Sequence, residues 1–281
     1  MATKSVEGEP KGPPAAARRG RVPAWVTNYS YPLGAIVFLL VFWEIFVNAM
    51  KLPAYLLPPP SLVFGVVATQ SKLLALHAVT TTMEVLLGFV MSVIIGIPLA
   101  VGIVSSRFFD RSIYPILVSS QSVPKIAIAP LFVVWFGFGT FPKVLVAFLI
   151  SFFPIVISTV VGLRSVEPEM IYLIRSMGAG PMDTFRKIRF PNALPSIFGG
   201  LKIAITLSVV GAIVGEFIGA DRGLGYLLLV ANSNLDTKLL FAAIVYLAAI
   251  GIIRIMIVER IERALIPWHV SRRTEVILES M

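Results

Sequence analysis

Apolar residues in this chain run in blocks rather than alternating with polar ones. Six blocks, at residues 31–50, 79–104, 112–136, 142–162, 196–217 and 239–258, approach or exceed the roughly 20 residues a helix needs to cross the hydrocarbon of a bilayer. The pattern predicts an all-α integral membrane protein of about six spanning helices. Residues 31–266 form the membrane domain, between cytoplasmic tails at 1–30 and 267–281. Between the first two blocks, LPAYLLPPPS (52–61) carries consecutive prolines and cannot be helical. It is expected to cross the outer surface as an extended segment, with residues 62–76 forming a helix that lies on that surface. Pro115, Pro124 and Pro130 predict a kinked or broken third span. Gly88, Gly96 and Gly102 in the second span, and Gly199, Gly200, Ala204, Gly211 and Gly215 in the fifth, predict close helix approach.

One polar segment is far longer than a turn between spans requires. Residues 165–195, between the fourth and fifth spans, hold enough sequence for two short helices and a sharp bend. Ser165 can cap the first helix, and Pro168 suits a first-turn position where its missing N–H costs nothing. Met170, Leu173, Ile174 and Met177 recur at helical spacing, and Gly178 is placed to end the helix in a left-handed conformation. Pro181 can start a second helix, expected to stop before Pro191. Met182, Phe185 and Ile188 share one side of it, with Arg186, Lys187 and Arg189 interleaved. Two such helices cannot bury their apolar faces in themselves. They need either the lipid surface or a groove on another protein.

Composition supports a membrane protein: 57% of the 281 residues are hydrophobic and 14% charged, against about 25% charged in soluble domains. The net charge of +9 does not require nucleic acid, because cytoplasmic loops of membrane proteins are basic. With both termini inside, 17 of the 24 Lys and Arg lie on the cytoplasmic side and five (Lys51, Lys72, Lys143, Arg222, Lys238) outside, while Lys125 and Lys202 fall within spans. This bias orients the chain and puts residues 165–195 in the cytoplasm. Residues 1–30, rich in Pro, Gly, Ala and Arg, read as a disordered tail rather than a cleavable signal peptide.

Little in the chain is suited to catalysis. There is no cysteine, hence no thiolate nucleophile or cysteine-bound metal. A phosphate-binding loop needs glycine-rich backbone followed by Lys and Ser/Thr, and no Gly-Lys pair occurs. The two histidines, His77 and His269, have no partners at metal-binding spacing; His77 reads as interfacial. No cofactor is expected in this chain. Glu44 interrupts the first span, where an acid costs about 2.5–3.5 kcal/mol, so it should face protein or water. Glu84 can reach headgroups or a partner, and Arg254 can snorkel toward the cytoplasm. Ser119, Ser120, Gln121, Ser122 and Lys125 surround Pro124 in the most polar stretch of any span. They either line a path or satisfy backbone groups freed by the proline. Glu216, at the outer end of the fifth span, is a candidate outer gate or contact for an external protein.

Gly178, nine intervening residues, then Ile188-Arg189-Phe190-Pro191 resembles the signature loop of ABC importer permeases. Phe190 stands where that family has leucine, and Tyr172-Leu173-Ile174 replaces its Glu-Ala-Ala triplet, leaving Glu169 as the acid one turn earlier. LLPPPS (56–61), GIPLAVG (96–102), PLFVVWFGFG (130–139), FFPIVIST (152–159) and GEFIGADRGLGYLL (215–228) resemble the nitrate, sulfonate and taurine importer group. That group also takes up thiamine-precursor pyrimidines and related metabolites, and Pro124-Lys125-x-Ala127 resembles its heterocycle-importing side.

The resemblance implies a type I importer fold in a bacterial inner membrane and a homodimer of permeases. It also implies two ATPase subunits that bind ATP–Mg, and an extracytoplasmic binding protein. Glu169, Arg175, Gly178, Ala179, Met182, Phe185, Arg186 and Pro191 would then form the ATPase-coupling loop. Ser119, Gln121, Ser122, Lys125 and Glu216 would form the path or gate. The rival reading is a proton- or sodium-coupled carrier using Glu44 and Glu84, although no internal repeat is visible.

Overall fold

The computed structural model describes residues 24–268. The expectations for the tails at 1–23 and 269–281, His269 included, lie outside the described residues. Helix α1, Ala24–Ala49, begins inside the stretch expected to be tail. The proline-rich segment follows as an irregular crossing. Where one surface helix was expected over 62–76, there are two elements: α2, Pro60–Thr69, and the start of α3, Ser71–Ser105. The chain turns at Gln70, and Leu74, His77 and Ala78 face inward, so this stretch belongs to the spanning helix. At 35 residues, α3 is about 52 Å long at 1.5 Å per residue. That exceeds the roughly 30 Å of hydrocarbon.

The third span is broken, as its prolines require. Helix α4, Arg107–Ser120, meets the 3-10 turn Lys125–Ile128 and helix α5, Ala129–Phe136, at a bend of 88°. Helix α6, Thr140–Arg164, runs back across the molecule. Helix α7, Pro168–Ser176, and α8, Pro181–Thr184, form an elbow between it and the next long helix. A π turn, Phe185–Arg189, leads into α9, Phe190–Gly219, followed by α10, Leu224–Ser233, and α11, Thr237–Leu265. No strand occurs among the described residues. Four long helices there can cross a membrane by length and composition, or five with the bent pair. A count of six rests on α1, whose apolar part, Leu33–Ala49, is shorter.

The core is α6 packed between α3 and α9, and small residues set the spacing. A Cβ on Gly88 would come within 2.6 Å of the Ala147 Cβ; one on Gly211 would come within 2.6 Å of the Ala147 Cα. The same alanine of α6 is thus held from both sides. Gly200 is closed by Ser158 and Gly215 by Lys143, while Gly102 and Gly199 face open space, contrary to expectation. Val63, Leu74, Leu224, Leu227 and Ala242 bury a second cluster joining α2, α3, α10 and α11. Outward-facing apolar residues such as Phe38 (67% exposed) and Ile94 (65%) suit lipid contact.

Candidate functional site

The elbow between α6 and α9 departs from the expected pair of separate helices. Glu167, not Ser165, precedes α7, and no side chain caps it. Ser165 instead donates to the Gly162 carbonyl (2.9 Å) and accepts from Asn192 Nδ2 (3.0 Å), tying the end of α6 to the start of α9. Pro168 opens α7, and Gly178 adopts φ +86°, the left-handed conformation foreseen for it. The second helix does not end before Pro191. Proline lacks an N–H and its ring collides with the carbonyl four residues back. A π turn widens the helix there, with the Phe190 N–H donating to the Phe185 carbonyl. The elbow is therefore continuous with α9, and Pro191 sits in its first turn.

Four apolar residues of the elbow are uncovered, while Ile171, Ile174, Phe185 and Ile188 are half-buried. Met170, Leu173, Met177 and Met182 are 52%, 62%, 78% and 67% exposed. Glu169 lies exposed in the first turn of α7, and Arg186 is exposed on the π turn. Arg175, Met182, Phe185 and Arg189 line a cleft of about 390 Å³ closed on its far side by Val101, Val104 and Ser105 of α3. Ala179 is half-buried in the bend. Beside the elbow, Arg164 of α6 pairs with Asp110 of α4 and lies over the Tyr114 ring, 4.9 Å from its centre.

At the bend of the third span, Ser119, Gln121 and Ser122 are exposed. Lys125 donates to the Gln121 carbonyl (3.3 Å) and rests over the Phe153 ring of α6, 4.5 Å from its centre. Lys125 thus serves the freed backbone.

The end of the molecule opposite the elbow holds a buried polar network whose members are scattered along the sequence. Glu216 is 1% exposed, so its carboxylate is turned inward rather than toward an external protein. It accepts from Thr81 Oγ1 (2.6 Å) and from the Gly225 N–H. Thr81 also accepts the Leu224 N–H (2.8 Å), and His77 Nδ1 accepts the Gly223 N–H (3.0 Å). His77 is 8% exposed and stacks on Tyr226, so it is not an interfacial residue. Three side chains of α3 and α9 thereby satisfy three N–H groups at the start of α10, donors with no partner inside their own helix. Gly223, at φ +121°, and Gly225 leave room for the Glu216 carboxyl that any Cβ there would strike.

Beside Glu216, the Glu84 carboxylate pairs with Lys143 Nζ at 2.6 Å, their side chains 0% and 3% exposed. Of the two fates open to Glu84, headgroups or a partner, the second holds. Glu84 also lies against the Glu216 carboxyl, so two acids and one lysine are buried together.

Three other expectations are resolved by position. Glu44 accepts from Ser61 N–H (3.0 Å) and Oγ (2.9 Å), holding the first turn of α2. Lys202, within its span, pairs with Glu262 at 2.6 Å. Arg254 does not snorkel: it is 5% exposed within α11. Thr81, His77 and Lys143 were missed as site residues. The signals were a threonine run, residues 80–82, just before Glu84, and a lysine in an apolar helix with no acid nearby on the same helix.

Above this network opens a cleft of about 800 Å³, walled by Phe138, Phe217, Tyr226 and Asp221.

Residues 92–267 match the family described as the binding-protein-dependent transport system inner membrane component. The formylaminopyrimidine transport permease ThiX of Halalkalibacterium halodurans is 37% identical over 83% of this chain and 93% of its own length. The riboflavin transport permease RibX of Chloroflexus aurantiacus is 39% identical over 84% and 89%. The taurine transport permease TauC of Escherichia coli is 29% identical over 84% and 89%. The fold matches a chain of the inward-facing MetNI methionine ABC transporter with a TM-score of 0.61 at 22% identity, covering 70% of this chain and 97% of that one. With its all-helical architecture and apolar spans, this chain belongs to the binding-protein-dependent inner membrane component family and is a multi-pass permease of an ABC importer.

Proposed function

We propose that the permease works as one of two copies facing each other across a substrate path in a bacterial inner membrane, with both termini cytoplasmic. Two separate ATP-binding subunits, which would hold ATP–Mg, grip the elbow from inside. An extracytoplasmic binding protein delivers the solute. The chain itself hydrolyses nothing. The observation that carries the reading is the elbow: four uncovered apolar side chains on a segment that the basic bias places in the cytoplasm, joined without a break to α9.

A groove on the ATPase covers those side chains. Closure of the ATPase pair pushes on Gly178 and its flanking helices, and the π turn passes the motion to α9 and its packed neighbour α6. Access switches when the partner binds one of two states, a few kcal/mol apart, better than the other. Ser119, Gln121 and Ser122, exposed at the 88° bend, line the path, with Lys125 fixing the bend. Glu216 contributes to gating as an internal strut for the α9–α10 turn. The solute is small: a sulfonate-, nitrate- or taurine-like anion, or a small heterocycle such as a thiamine-precursor pyrimidine. The named substrates of the relatives fall in both classes. A proton- or sodium-coupled carrier has no support from these relatives, and the acids it would use are engaged structurally, Glu44 on α2 and Glu84 on Lys143.

The chain has no cysteine, so single cysteines report cleanly. In the assembled importer, Met170→Cys and Met182→Cys should cross-link to the ATPase subunit, and Phe38→Cys on the lipid-facing side should not. Modification of Met182→Cys only from the outer side of sealed cells, or no ATPase cross-link from either elbow position, would overturn the reading.

A further inference from the structure

We infer that the outer cleft accepts a flat heteroaromatic molecule, neutral or cationic, and turns away small anions. This inference rests on the permease reading and narrows its substrate class.

The cleft has about 800 Å³ of space, within the roughly 300–1,000 Å³ of sites that take small organic ligands. Phe138, Phe217 and Tyr226 present rings to it, and Phe138 is 81% exposed and therefore free to cover a ligand. Aromatic walls favour planar rings through offset stacking, and their negative faces favour cations over anions. The charged residues lining it are Asp221 and Glu216; among the described residues no Lys or Arg lines it. Ser233 and Asn234 add neutral hydrogen-bonding groups of the kind a ring nitrogen or amino substituent can use.

A sulfonate or similar anion needs cationic side chains or free backbone N–H groups at a helix start. The nearest helix start is that of α10, and it is already filled. Its Gly223, Leu224 and Gly225 N–H groups are taken by His77, Thr81 and Glu216. The chain's own carboxylate thus occupies the position an anion would seek. Among the described residues the cleft keeps aromatic faces, two acids and two neutral polar side chains but no cationic donor, and that combination selects by charge as well as by shape.

The test uses the permease–ATPase complex in lipid nanodiscs, without the binding protein, and saturation-transfer NMR with two probes, 4-amino-2-methylpyrimidine and methanesulfonate. Transfer to the pyrimidine should be seen and should fall at least fivefold in Phe138→Ala and Tyr226→Ala, while Phe38→Ala on α1 leaves it unchanged. Because Tyr226 also stacks on His77, Phe138→Ala is the deciding variant. The inference is overturned if the pyrimidine shows no transfer, if its transfer survives Phe138→Ala, or if methanesulfonate transfer is present and lost in that variant. ATP hydrolysis in the same complex, with and without added binding protein, reports separately on the importer reading.

Discussion

Glu84 of α3 and Lys143 of α6 meet at 2.6 Å with both side chains shut off from solvent. The pair joins two helices at the level where Gly215 of α9 closes on the Lys143 backbone, so all three core helices are fixed at one point. Breaking a buried ion pair from one side leaves an uncompensated charge and costs about 3–5 kcal/mol.

Lys143→Met should therefore be the more damaging single change, because Glu84 would lose its ammonium while lying beside a second buried carboxyl, Glu216. Glu84→Gln keeps a side-chain oxygen to accept from Lys143 and should cost roughly half as much, within the range for buried polar groups. The double variant should be less than additive. Unfolding of all three proteins in one detergent, read as a double-mutant cycle, checks this; strict additivity would show that the pair is not coupled.

Thr81→Val tests the strut. The substitution keeps the shape but removes the donor to Glu216 and the acceptor for Leu224 N–H. Two buried groups then lose partners, at roughly 1–3 kcal/mol each. We expect faster amide exchange at the start of α10 with little change at the elbow, measured by hydrogen–deuterium exchange. Equal loosening at both ends would argue against a local strut.

Glycine positions that look alike in sequence should separate sharply. Gly88→Leu and Gly211→Leu force atoms into the Ala147 backbone or side chain and should prevent stable folding. Gly102→Ala and Gly199→Ala meet nothing within 4 Å and should stabilise by about 0.5–1 kcal/mol through helix propensity. Thermal unfolding of the purified variants distinguishes the two groups.

Gly178 is constrained by backbone rather than by space: its φ is +86° and nothing lies within 4 Å of a Cβ. Gly178→Asn, which tolerates this region, should retain more uptake than Gly178→Val, which resists it by roughly 1–2 kcal/mol. Both should insert normally. Substrate uptake per ATP hydrolysed in proteoliposomes is the measurement, and equal coupling in the two variants would remove the bend from the mechanism.

Glu216→Ala should lower transport and binding-protein-stimulated ATP hydrolysis together by releasing the α9–α10 turn. Unchanged values for both would remove Glu216 from the gate.

The broken third span was legible because Pro124 stands among polar residues, and the break falls there; Pro115 is accommodated inside α4 and Pro130 in the first turn of α5. The elbow was legible because its polar length, Gly178 and the apolar spacing all pointed one way. The π turn was not, because Pro191 alone reads as a stop; only its placement at the entry of a packed helix shows that widening replaced termination. Glu84, Lys143, Thr81, His77 and Glu216 lie up to about 140 positions apart, and no local pattern links them.

By itself, the sequence determined a multi-pass membrane protein, its long apolar helices and a polar elbow between two of them, since hydropathy and proline geometry act over short stretches of chain. Tertiary structure decided which glycines touch, which charges pair and what fills the start of α10. Those depend on α3, α6 and α9 coming together, where burial makes an unpaired group costly and close approach leaves room for one arrangement.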